Sequence, residues 1–167
     1  LDRLSKLLTS GESVAFTALQ GMGGAGKTAL AQKLAEKIKG GFPGGVLWRS
    51  LGPSPDLFTA LDVWARHADP RADLSALPDP ESRASVVRSM LSKLGKLCAI
   101  LDDVWGEEAA RALMSAIPAG CPILITTRDG DLAKALRCRV ERIGTLSEDE
   151  SIQLLAKLLG DLGAHEH

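Results

Sequence analysis

The sequence predicts an α/β three-layer sandwich, in which a five-stranded parallel sheet carries helices on both faces. Three observations predict it. Short apolar stretches alternate with amphipathic helical stretches from residue 13 to residue 159, and such alternation builds a parallel sheet, because each crossover helix returns the chain to the same end of the sheet. Residues 97–101 (Leu-Cys-Ala-Ile-Leu) are continuously apolar, as in a strand buried on both faces. The first strand runs into a glycine-rich loop and then a helix, which sets a ligand site at the carboxyl end of the strands.

Each element has its own signal. The chain opens with Leu1, Leu4, Leu7 and Leu8 in a helical pattern. Residues 13–20 read as the strand feeding the glycine loop. Residues 28–39 form a helix with Leu30, Leu34 and Ile38 at four-residue spacing, stopped by Gly40-Gly41. A second strand spans 46–51, and a helix over 56–67 sets Leu57, Leu61 and Trp64 on one face. Residues 69–80, rich in Pro and Asp, form a surface loop. Asp79-Pro80 starts a helix to Leu94, with Val86, Met90 and Leu94 in line and Gly95 ending it. A strand over 97–101, a helix over 106–117, a strand over 121–126, a short helix over 131–137 and a weaker strand over 138–143 follow. A helix over 147–159 closes the series, opened by a capping box of Ser147 with Glu150.

Composition bounds the function. The 167 residues suffice for one domain with a proper core. With 20 basic and 21 acidic residues the formal charge is −1, so no broad positive field draws this segment to nucleic acid. No apolar run approaches the ~20 residues of a membrane span. Cys98, Cys121 and Cys138 are odd in number and lie far apart in apolar stretches, which favours buried free thiols over disulfides or metal ligation and fits a reducing, cytoplasmic setting. Both ends look cut, since no start methionine opens the chain and it stops a few residues after another helix; His165 and His167 read as tail residues, not ligands.

The run Gly21-Met22-Gly23-Gly24-Ala25-Gly26-Lys27-Thr28 spells G-x-x-x-x-G-K-[ST], a loop that holds nucleotide polyphosphates. Gly23, Gly24, Ala25, Gly26 and the first helical amides, including those of Thr28 and Ala29, would present N–H groups to the phosphates at the positive end of the helix dipole. Lys27 would reach the terminal phosphates and take part in catalysis. The Thr28 hydroxyl would join the shell of a Mg²⁺ ion. Gly21, Gly23 and Gly26 also satisfy the dinucleotide fingerprint G-x-G-x-x-G, which expects an acidic residue about 20 positions on. Residues 46–51 (Val-Leu-Trp-Arg-Ser-Leu) hold no acid, and Lys27-Thr28 would be left unexplained, so the phosphate loop is the better reading.

Two further strands end in chemistry. Residues 97–103 finish in Asp102-Asp103; Asp102 is the candidate metal ligand with Thr28, and Asp103 the candidate general base that polarises the attacking water. The bland alternative is that these carboxylates cap the next helix. Residues 123–128 (Ile-Leu-Ile-Thr-Thr-Arg) end in a guanidinium suited to a γ-phosphate, so Arg128 would separate ATP from ADP; the bland alternative is a surface Arg paired with Asp129 or Asp131. Thr126 and Thr127 could position water. Arg49 is a weaker candidate, Trp48 and Trp64 read as core, and His67 as solvated.

These three motifs, in this order and spacing, resemble the NB-ARC family within the STAND class of signalling ATPases, which use the P-loop NTPase fold. The resemblance rests on residues 21–31 (Gly-Met-Gly-Gly-Ala-Gly-Lys-Thr-Ala-Leu-Ala), on Leu101-Asp102-Asp103-Val104-Trp105 and on Leu124-Ile125-Thr126-Thr127-Arg128. Val46-Leu47-Trp48 followed by Leu51-Gly52 is similar to the family's second-strand motif. Residues 146–150 (Leu-Ser-Glu-Asp-Glu) resemble the start of a small helical domain, giving a nucleotide-binding domain over 1–145 and the first helix of a truncated helical domain over 146–167.

The resemblance implies an ADP/ATP switch with slow Mg²⁺-dependent hydrolysis. Exchange to ATP, coupled to a signal sensed by C-terminal repeats, would drive self-association that activates an N-terminal effector, both lying elsewhere in the same polypeptide. It also implies that the Arg128 strand lies between those of Lys27 and Asp102. The family's adenine-holding motif before Leu1 and its motifs beyond His167 fall outside the sequence, which predicts weaker, phosphate-dominated binding and little turnover for this segment alone. Two alternatives stay open. A phosphotransferase would need an Arg-rich lid, which residues 52–80 do not show, and a AAA+-type remodelling ATPase would draw an arginine finger from Arg137, Arg139 or Arg142.

Overall fold

The computed structural model describes residues 2–10, 16–20 and 26–142. Among these residues five strands form one sheet: β1 (Phe16–Gln20), β2 (Gly45–Gly52), β3 (Leu97–Val104), β4 (Ile123–Thr127) and β5 (Arg139–Arg142), in the spatial order β2-β3-β4-β1-β5. Every pairing is parallel. Six α-helices accompany them among the described residues: α1 (Asp2–Thr9), α2 (Lys27–Ile38), α3 (Leu57–Ala68), α4 (Pro80–Leu91), α5 (Glu107–Ser115) and α6 (Gly130–Ala135). The residues 13–15, 21–25 and 143–167 that the sequence reading assigned to a strand start, a phosphate loop, a strand end and a C-terminal helix lie outside the described residues.

Side chains alternate across a strand, and in β3 that alternation feeds two cores. Leu97, Ala99 and Leu101 join α3, α4 and α5 in one cluster, while Cys98 and Ile100 join Leu4 and Leu8 of α1 and Leu34 and Ile38 of α2 in the other. All five of these β3 side chains are fully buried, which is why that stretch carries no polar residue. The result is helix on sheet on helix.

Asp side chains start three helices. Asp56 accepts from Thr59 N (3.0 Å), Asp79 from Ser82 N (2.7 Å) and Asp129 from Asp131 N (2.8 Å), each satisfying an amide that the first helical turn leaves open. Pro80 at the head of α4 costs nothing, because its missing N–H had no helical partner to find.

The structure differs from expectation in several places. The buried face of α4 is Ala84, Val87 and Leu91, with Val86 38% exposed; the phase was hidden because Arg83 is also buried, donating to Asp62 Oδ1 at 2.9 Å and to the Leu77 carbonyl at 2.9 Å. That helix ends at Leu91 and a tighter turn continues it to Leu94, before Gly95 turns the chain at φ +82°. Strand β3 runs past both carboxylates to Val104, held by β2, which pairs Ser50 with Asp102 and Gly52 with Val104. Cys121 precedes β4, in a turn where its amide meets the Pro118 carbonyl (3.2 Å). His67 is exposed, as expected of a solvated side chain, and its Nε2 lies 2.9 Å from the Gly44 carbonyl. The neighbouring Gly45 takes φ +100°, and a Cβ there would come within 2.8 Å of the His67 ring.

The three cysteines are buried and unpaired. Burial pushes the thiols of Cys98 and Cys138 up to about 12. Trp64 is fully buried and Trp48 partly so against the α1–α2 side, as core residues. Among the described residues no helix is long and apolar enough to cross a membrane.

Candidate functional site

The site begins where α2 begins. Gly26, just ahead of the helix, takes φ +73° and ψ 17°, a left-handed conformation that glycine adopts at no steric cost. Its carbonyl receives the Leu30 amide at 2.8 Å, so Lys27, Thr28 and Ala29 stand in the first turn, where amides point out of the helix and the dipole is positive.

Sheet order brings the remaining groups to this turn. Strand β4 lies between β1 and β3, so the groups at the ends of β3 and β4 face the start of α2. A cleft of about 410 Å³ is bounded on the helix side by Gly26, Lys27, Thr28, Ala29 and Gln32, and on the sheet side by Asp103, Thr126 and Arg128. Asp102 sits beneath them, 3% exposed. The Thr28 hydroxyl donates to the two Asp102 oxygens at 3.0 and 3.1 Å, and the Thr126 hydroxyl to Asp102 Oδ1 at 2.6 Å. The same Thr126 oxygen accepts the Asp103 amide at 2.9 Å. One hydroxyl thus ties the buried carboxylate to the backbone of the next one.

That backbone is strained. Asp103 takes φ +52°, one of two non-glycine residues with positive φ among those described. The β3–β4 register slips between Leu101 and Val104 at the same place. The irregularity turns the chain so that Asp103, half-buried, lines the cleft while Asp102 stays in the wall, and strain of this kind concentrates at functional sites.

The electrostatics are those of an anion site. Burial lowers the Lys27 pKa from its ordinary 10.5, the Arg128 charge lowers it further, and Asp103 and Asp102 oppose both. Two cations facing one cleft favour a polyanion between them. Arg128 is not spent on the neighbouring acids: Asp131 pairs with Lys134 at 2.9 Å and Asp129 caps α6. Its guanidinium carbon lies 5.4 Å from the centre of the Trp105 ring. Arg49 stands on β2, outside the cleft lining, where its charge acts on Asp56.

The hydroxyl of Thr28 and the carboxylate of Asp102 converge as hard oxygen donors, the ligand type Mg²⁺ prefers. No cluster of three or more His, Cys, Asp or Glu side chains able to hold a metal occurs among the described residues.

Gly26, Lys27, Thr28, Ala29, Asp103 and Arg128 therefore share one cleft, with Asp102 bonded beneath it. Gly23, Gly24 and Ala25 lie outside the described residues. Sequence reasoning missed Gln32, whose signal was its four-residue spacing from Thr28 on the same helix face. It also missed the part played by Trp105, the aromatic that directly follows β3.

The NB-ARC domain profile matches residues 1–162. The chain belongs to the NB-ARC family. This NB-ARC chain is 34% identical over 159 residues to the regulatory protein AfsR of Streptomyces coelicolor, covering 91% of the chain and 15% of that protein. It is 28% identical over 171 residues to the disease resistance protein SUMM2 of Arabidopsis thaliana (96% and 18%), and 34% identical over 136 residues to human apoptotic protease-activating factor 1 (77% and 10%). The chain thus spans between 10% and 18% of the length of these three relatives.

Among solved structures, the Aeropyrum pernix ORC2 protein matches the NB-ARC chain with a TM-score of 0.65 at 16% identity (93% of this chain, 50% of that one), and Pyrobaculum aerophilum Cdc6p with 0.66 at 17% (93% and 47%). At such identities the likeness shows the fold, an α/β sandwich of the P-loop NTPase kind. The family match makes the chain a nucleotide-binding domain related to those of signalling proteins.

Proposed function

We propose that this NB-ARC domain binds ADP and ATP with Mg²⁺ and serves as the switch module of a larger signalling protein. One observation carries the reading: Lys27, Thr28, Asp103 and Arg128 line a single cleft, with Asp102 hydrogen-bonded to Thr28 in its wall. In this reading the first turn of α2 and residues 21–25 hold the β-phosphate, and Lys27 spans the terminal phosphates. Thr28 and Asp102 hold the Mg²⁺, and Arg128 meets the γ-phosphate. Asp103 orients a water that attacks the γ-phosphorus, breaking the bond to the β-phosphate oxygen and releasing ADP and phosphate. Turnover is slow, and exchange of ADP for ATP controls self-association of the full-length protein, with effector and sensor domains in the same polypeptide. Residues 1–145 make up the nucleotide domain, and residues 146–167 belong to the helical domain that follows it. Three buried free thiols suit a reducing, cytoplasmic setting.

Calorimetry tests the site. Mg²⁺-dependent ADP and ATP binding is expected, and Lys27→Ala abolishes it; undiminished binding in that variant would sink the phosphate-loop assignment. Arg128→Ala weakens ATP more than ADP. Equal losses for both nucleotides would return Arg128 to a surface role.

A further inference from the structure

Trp105 is the largest exposed hydrophobic side chain among the described residues, at 53% exposure. It is the first residue after β3, and Arg128 is the first after β4. The two strands are neighbours, and their register pairs Val104 with Thr127. The Thr127 hydroxyl donates to the Val104 carbonyl at 2.8 Å, clamping the strand ends one residue before Trp105 and Arg128 emerge. The backbone therefore fixes these two side chains as neighbours, and the guanidinium carbon lies 5.4 Å from the ring centre, within the ~6 Å range of a cation–π contact.

Arg128 stands at a boundary. It lines the phosphate cleft of about 410 Å³ and also a second groove of about 400 Å³, which Trp105 lines with it. A long flexible side chain there is drawn away from the cleft by the like charge of Lys27. The indole lines that second groove and not the cleft, and its negative ring face gives the guanidinium a fixed partner at the boundary. The acids on either side are otherwise engaged, Asp129 in the α6 cap and Asp131 with Lys134.

We propose that Trp105 is a positioning residue for Arg128: its ring holds the guanidinium at the mouth of the phosphate cleft and thereby sets the preference for ATP over ADP. The proposal rests on the reading of Arg128 as the γ-phosphate contact. Trp105 touches no phosphate itself and acts only through the guanidinium.

The test is a double-mutant cycle read by calorimetry with MgATP and MgADP on the purified chain and on Trp105→Ala, Trp105→Phe, Arg128→Ala and the double variant. Exposure of the ring means that its removal leaves little cavity, and circular dichroism checks that each variant is folded. A cation–π contact at an exposed site corresponds to about a two- to fivefold change in affinity. Trp105→Ala is expected to weaken MgATP by that factor and leave MgADP unchanged. Trp105→Phe restores most of the loss, and on the Arg128→Ala background removal of the indole has no further effect.

If Arg128→Ala discriminates between the nucleotides and Trp105→Ala does not, the positioning role is overturned while the γ-phosphate contact stands. An equal loss for ATP and ADP, or the same loss with Arg128 already removed, overturns it too. If Arg128→Ala shows no preference, the underlying reading fails and the positioning role fails with it.

Discussion

Replacing Thr126 with Val probes the joint between the two carboxylates. The residue is 1% exposed, and the exchange keeps its branched shape, so what is lost is the hydroxyl. That hydroxyl donates to Asp102 Oδ1 at 2.6 Å and accepts the Asp103 amide at 2.9 Å. A hydrogen bond to an ionised partner contributes about 1.5–3 kcal/mol, and a buried donor left unsatisfied costs about 1–3 kcal/mol. Two details reduce the sum. Asp102 retains Thr28, at 3.0 and 3.1 Å, and half-buried Asp103 lets water reach part of the orphaned amide. The expected loss is about 2–4 kcal/mol, a large share of the ~5–15 kcal/mol by which a domain is stable.

Urea unfolding followed by circular dichroism measures it. With a slope of about 2 kcal/mol per molar urea, the midpoint falls by roughly 1–2 M while the slope itself is unchanged. Thr126→Ser keeps the hydroxyl and loses one methyl, about 1 kcal/mol, so it should sit well above the Val variant. If Val were within about 0.5 kcal/mol of the native residue, a surface-like effect, or if Ser were as damaging as Val, the hydroxyl would not be the joint.

Two further outcomes follow from the fold. Burial raises the thiols of Cys98 and Cys138 to about 12, so near neutral pH both remain protonated and shielded. Iodoacetamide should reach them only on unfolding, and rapid native-state alkylation at Cys98 by mass spectrometry would contradict the packing. Arg83, 9% exposed, has its charge met by Asp62 at 2.9 Å; the Asp62 side chain is 32% exposed, so Asp62→Ala should cost about 1–3 kcal/mol, below the figure for a fully buried pair. An unchanged melting temperature would refute that pairing.

The order of elements was legible because period carries it. Alternation separates β3 into Leu97, Ala99 and Leu101 on one face and Cys98 and Ile100 on the other, and helical spacing marks α2 and α3. The phase of α4 was not legible, because its inward face includes a charged residue, Arg83, whose burial depends on Asp62 from another helix. In the site, Lys27, Thr28 and Asp102 could be read because local spacing defines their roles. The pairing of Trp105 with Arg128 could not, since it depends on the register between strands whose residues are separated by 23 positions. The end of β3 was hidden for the same reason: pairing with β2 continues the strand through Asp102 to Val104, where composition alone suggests a turn.

Asp103 makes the same point at the level of one dihedral angle, and it can be tested. Its φ of +52° lies where a Cβ meets the following carbonyl, a cost of about 1–2 kcal/mol for most L-residues that Asp and Asn soften by local hydrogen bonding. Strand residues ordinarily rank Ala above Gly, by about 0.5–1 kcal/mol of backbone entropy. At this position the order should invert. Asp103→Ala inherits the left-handed strain without a side chain to offset it, whereas Asp103→Gly removes the strain and pays only its usual entropy. The difference expected is up to about 1 kcal/mol in favour of Gly, resolved by paired urea midpoints at equal slope. Both variants lose the carboxylate, so any change in hydrolysis would be shared while the stability difference would not. An Ala variant at least as stable as Gly would mean that the bulge between Leu101 and Val104 relaxes once the carboxylate is gone. The strain would then belong to the side chain's own contacts. The inverted order would instead place it in the backbone, held by the Thr126 hydroxyl on the Asp103 amide, with the cleft-facing carboxylate positioned by the fold before any ligand arrives.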